Sequence, residues 1–72
     1  MYYPFAENLR YYREKKGFTQ KQLADMLGVS NVTICYWETS VVYPRIDRIY
    51  DIARVLGIDP LLLVDTNNQW II

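Results

Sequence analysis

Gly17-Phe-Thr-Gln-Lys-Gln-Leu-Ala-Asp-Met-Leu-Gly-Val-Ser30 is the stretch whose reading decides the fold. Thr19 followed three residues later by Gln22 is a capping box, in which each side chain satisfies a backbone N–H left open at a helix start. Leu23, Ala24 and Leu27 then recur at helical spacing and give one apolar face. Gly28 stops that helix, and only Val29 separates it from Ser30, a favoured N-cap for the next one. Two helices joined by so short a link must turn sharply against each other.

Working outward, Phe5, Leu9 and Tyr12 place a helix from about Phe5 to Lys16, with Pro4 suited to its first position and Gly17 closing it behind two lysines. The helix that Ser30 opens runs to Glu38 and turns Ile34 and Trp37 inward. Thr39 to Pro44 is an extended connector, because Pro44 biases Tyr43 away from helical geometry. A fourth helix from about Arg45 to Leu56 carries an inner stripe of Ile46, Ile49, Ala53 and Leu56, with Ile52 beside it, and ends at Gly57. Asp59-Pro60 is an N-cap followed by a first-position proline, and opens a short fifth helix through Val64. The expected fold is therefore all-α, with five helices over residues 1–65 and an apolar tail over 66–72.

Composition narrows the function classes. A chain of 72 residues makes one domain, and 51% hydrophobic residues supply enough apolar surface to offset chain entropy. No apolar run approaches the roughly 20 residues of a membrane-spanning helix, and the N-terminus lacks the pattern of a secretory signal. A single Cys35 makes no intrachain disulfide, which points to the cytoplasm. With no histidine, one cysteine and no glycine-rich phosphate loop, no metal, cofactor, small-molecule ligand or enzymatic activity is expected. Eight basic residues balance eight acidic ones, so any affinity for a polyanion rests on how the charges are sorted by face.

The run from Phe5 to Val64 resembles the Cro and lambda-repressor-like helix-turn-helix family. The resemblance rests on Leu9-Arg-Tyr-Tyr-Arg13, Lys16 through Asp25, Leu27-Gly-Val-Ser30, Thr33-Ile34, Trp37-Glu38, Pro44 and Ile52-Ala-Arg-Val-Leu-Gly-Ile58. It implies a double-stranded DNA-binding transcription regulator of phage-repressor type, bacterial or phage-encoded, which reads a palindromic operator as a homodimer. The helix that begins near Ser30 would enter the major groove, and the one near Thr19 would cross the backbone. Asn31, Val32, Thr33 and Tyr36 become the base-contact candidates. Gln20, Lys21, Thr39, Tyr43 and Arg45 become the phosphate candidates, with Arg48 beside them. Arg13 and Glu38 match a structural ion pair of the family.

Three features depart from that pattern. The base-contact set contains no Arg, Lys or Gln. Relatives commonly have glycine where this chain has Ser40, so the loop is expected to take a different path there, which unsettles the Thr39 contact. Val41, Val42 and Tyr43 stand where basic residues are common. Leu61, Leu63, Trp70 and Ile71 are more apolar groups than one small core needs so late in a chain, and are the candidate dimer contact. These departures keep a second reading open: a protein-interaction module on the same fold, such as an antirepressor or adaptor.

Overall fold

The computed structural model describes residues 4–64. Five helices follow in order: α1 (Phe5–Lys15), α2 (Gln20–Leu27), α3 (Asn31–Glu38), α4 (Ile46–Leu56) and α5 (Leu61–Val64). No strand occurs among the described residues. The local signals act as read. Thr19 Oγ1 accepts the Gln22 N–H at 3.0 Å, and Gln22 Oε1 accepts the Thr19 N–H at 2.8 Å, so the capping box is closed. Ser30 Oγ accepts the Thr33 N–H at 3.2 Å at the head of α3. Asp59 Oδ1 accepts the Leu61 N–H at 2.9 Å at the head of α5. Pro4 differs by one position from its expected place: it is the N-cap of α1 itself, and its carbonyl accepts the Asn8 N–H at 2.9 Å.

The α2–α3 link is tight because Gly28 takes a left-handed conformation, φ 72, which lets the chain reverse while the Val29 N–H returns to the Ala24 carbonyl at 3.0 Å. A side chain in this conformation is strained, which is why glycine closes the link. Arg48 on α4 secures the same corner by donating Nη1–H to the Leu27 carbonyl at 3.3 Å, a cation set against a helix C-terminus.

The core is where the inner stripes of the helices meet. Leu9, Leu23, Ile34 and Ile52 lose all contact with solvent. Each such side chain contributes about 1.5–3 kcal/mol over the exposed state. Two expectations are corrected here. Ile46 is 67% exposed, because α4 buries Ile49, Ile52, Ala53 and Leu56 and its first residue overhangs the core. Leu63 is fully buried in the helical core, so its side chain is spent inside the domain and is not exposed as a dimer contact would be. Asn8, in phase with Phe5, Leu9 and Tyr12 on α1, is buried as well. Its Nδ2–H donates to the Leu63 carbonyl at 3.0 Å and so pins α5 to α1. Leu61 is 70% exposed, while Trp70 and Ile71 lie outside the described residues. Among the described residues no helix is long and apolar enough to cross a membrane.

Candidate nucleic-acid interface

Arg13 is the node that orients the exposed helix. Its guanidinium grips Glu38 with two bonds, Nε–H to Oε2 at 2.6 Å and Nη2–H to Oε1 at 3.0 Å. A third bond runs from Nη1–H to the Phe18 carbonyl at 2.7 Å, in the loop before α2. Gln20, the first residue of α2, donates Nε2–H to Glu38 Oε1 at 3.1 Å. One carboxylate therefore joins α1, the head of α2 and the end of α3. Both charged side chains are nearly sealed from water, at 9% and 3% exposure. The hydrogen bond to Glu38, outweighing the opposite effect of burial, raises the Arg13 pKa above its ordinary value. Glu38 stands in the last turn of α3, where the helix dipole disfavours a carboxylate, and these donors offset that.

With its inner side held by Ile34, Trp37 and Glu38, α3 turns the rest of its surface to solvent. Asn31 is exposed, and Val32 and Tyr36, one turn apart on the same face, are 51% and 45% exposed. Thr33 is half-buried, and its hydroxyl lies 3.1 Å from Ser30 Oγ. Cys35 is half-buried too.

The phosphate candidates fall into three groups. Lys21 and Arg45 are well exposed, each in a loose ion pair, to Asp25 at 3.4 Å and Asp47 at 3.8 Å. Pairs this open to solvent are worth about 0–1 kcal/mol and exchange readily for another anion. Gln20 stands at the α2 N-terminus with one amide proton committed to Glu38. Thr39 and Tyr43 have partners within the chain. Thr39 sends both its N–H (3.0 Å) and its O–H (2.8 Å) to the Cys35 carbonyl, so its donors are spent on α3. Tyr43 turns its ring toward Phe5, with centroids 6.3 Å apart, and lines an apolar groove with Pro44, Ile46, Ile49 and Val64.

The helix-turn-helix family model matches residues 9–63. This chain belongs to the Cro/C1-type helix-turn-helix family. It is 36% identical over 64 residues to an uncharacterized HTH-type transcriptional regulator of Archaeoglobus fulgidus, covering 86% of this chain and 91% of that one. It is 38% identical over 74 aligned positions to the HTH-type transcriptional activator BcrR of Enterococcus faecalis, and spans only 36% of that protein's length. Among solved structures it is similar to the P22 c2 repressor in complex with a synthetic operator, with a TM-score of 0.79 and 32% identity over 88% of this chain and 96% of that one.

Within this helix-turn-helix domain the loop after α3 keeps the conformation that glycine would take. Ser40 has φ 63, the one left-handed residue other than glycine among those described. The loop does not take a different path, which corrects the expectation drawn from serine. The reason is the helix end: the Val41 N–H bonds to the Tyr36 carbonyl at 3.0 Å, the closure that requires the intervening residue to be left-handed. Sequence reasoning missed that Gln20 bonds to Glu38 and that Arg48 holds Leu27. Both contacts join residues far apart in the chain and have no local signature.

Proposed function

We propose that this protein is a sequence-specific regulator of transcription that binds double-stranded DNA as a homodimer and reads a palindromic operator, in the manner of phage repressors. The observation that carries the reading is the Arg13–Glu38–Gln20 network. It fixes α3 rigidly against α1 and α2 while leaving Asn31, Val32 and Tyr36 outward. A rigid element that presents a free polar face is what base readout needs. Asn31, Val32, Thr33 and Tyr36 are assigned to bases. Gln20, Lys21 and Arg45 are assigned to phosphates, where their exposed or N-terminal positions suit them. The regulators and the repressor–operator complex to which the chain is similar support the same reading.

Two α3 helices must stand roughly 34 Å apart to enter successive major grooves, which calls for a second copy of the chain. Leu61, the exposed member of the apolar group late in the chain, is the described residue assigned to that contact.

Selection from a randomised duplex pool at low salt, followed by binding at near-physiological salt, tests the function. The expected result is an enriched palindrome with half-sites about one helical turn apart, bound less tightly as salt rises. Recovery of no duplex at low salt would instead favour a protein-interaction module. The absence of any cation from α3 and the apolar groove at Tyr43 are what speak for that alternative.

A further inference from the structure

The outward face of α3 is chemically one-sided. Its one acid, Glu38, is sealed against Arg13. The helix carries no lysine or arginine. The Ser30 and Thr33 hydroxyls face each other at 3.1 Å, and Ser30 Oγ also accepts the Thr33 N–H. Beside Thr33, which is half-buried with its hydroxyl turned to Ser30, the face offers a base edge one carboxamide on Asn31, one half-exposed aliphatic group on Val32 and one phenol on Tyr36.

Each base pair asks for something different in the major groove. Guanine shows two acceptors, which Arg or Lys matches best, and cytosine shows an amine that seeks a carboxylate. This helix has neither cation nor free carboxylate to offer. Adenine shows an acceptor beside a donor, which the carboxamide of Asn31 complements with its own donor and acceptor. Thymine alone among the four bases carries a methyl group. Val32 exposes an aliphatic surface that gains nothing from water and gains from burial against such a methyl.

We propose that the half-site read by α3 is centred on A·T pairs, with a thymine C5-methyl seated on Val32 and an adenine edge paired with Asn31. This rests on the DNA-binding function proposed above and names the chemistry of the site it reads. Specificity here comes from one carboxamide pairing and one methyl contact, with no charged side chain on the outward face of the reading helix. The cations at Lys21 and Arg45 lie on α2 and ahead of α4 and are left to the backbone.

The experiment takes the operator selected by the full chain and replaces each thymine in turn by deoxyuridine, which lacks only the methyl. One position per half-site should respond, with a loss of about fourfold for one half-site and about fifteenfold for both, as expected from one buried carbon each. The Val32→Ser protein, checked for an unchanged helical spectrum, should bind the thymine and uracil operators alike. The Asn31→Ala protein should keep the methyl effect and lose its preference at the adjacent adenine. A selected core of G·C pairs, or specific binding that is indifferent to every thymine methyl, overturns this inference and leaves the function standing. Failure to select any duplex overturns both.

Discussion

Arg13 and Glu38 meet as a two-bond pair, 2.6 and 3.0 Å, between residues 25 apart in the chain and on helices that share no turn. Such a pair contributes less to net stability than its geometry suggests, because two ions had to leave water. Its value is registry: the planar guanidinium fits one orientation of the Glu38 carboxylate, and Gln20 and the Phe18 carbonyl complete the set. Removing one partner is another matter, since the other is left charged and buried.

Arg13→Ala or Glu38→Ala should therefore cost about 3–5 kcal/mol, measured by urea or thermal unfolding. The double change to Met at 13 and Leu at 38 should recover most of that loss, while weakening DNA binding if the orientation of α3 matters. Arg13 has its pKa raised, so its share of the stability is fully present below the ordinary arginine value and is lost only as pH climbs through the higher folded value. An Arg13-dependent loss of stability on raising the solution from neutral to mildly alkaline pH would contradict this.

Ser40 should be improved by glycine. Its left-handed conformation costs a residue with a side chain about 1–2 kcal/mol. Glycine removes that strain and gives back part of the gain in chain entropy, about 0.5–1 kcal/mol. Ser40→Gly should raise the unfolding free energy by up to about 1 kcal/mol, or about 4–8 °C in Tm. Ser40→Val should lower it.

Leu61 and Leu63 should part company. Leu63→Ala empties a fully buried site and should cost about 2–5 kcal/mol of stability. Leu61→Ala alters an exposed residue and should leave the unfolding of the monomer within about 0.5 kcal/mol, while weakening self-association in sedimentation. Equal effects of the two changes on stability would show that the face of α5 has been misassigned.

Lys21 and Arg45 should differ from Asn31 and Tyr36 in the way they fail. Alanine at Lys21 or Arg45 should weaken binding to all sequences and reduce the salt slope by about one. Alanine at Asn31 or Tyr36 should leave the salt slope unchanged and cost about 1–3 kcal/mol on the operator alone. Titrations of operator and scrambled duplex at several salt concentrations separate the two patterns.

The helices themselves were legible in the sequence, because what starts and stops them is local. Thr19 reaches Gln22, Ser30 reaches Thr33, Asp59 reaches Leu61, and left-handed closures follow α1, α2 and α4 at glycines. Each signal spans a few residues, so the order of residue types already contains it. The outward set on α3 was legible for the same reason, once Ile34 and Trp37 marked the inner side.

Only the tertiary structure decided which residues those helices spend on one another. It put Ile46 outside and Leu63 inside, although both stand in apolar stripes, because burial depends on whether a neighbouring element reaches that end of the helix. It gave the Thr39 hydroxyl a partner at the end of α3 and the Tyr43 ring a neighbour in Phe5. It held Ser40 left-handed because the Tyr36 carbonyl at the end of α3 had to be closed by Val41. It gathered Arg13, Gln20 and Glu38 around one carboxylate across 18 and 25 residues of chain, a meeting set by how helices pack and by no spacing along the sequence.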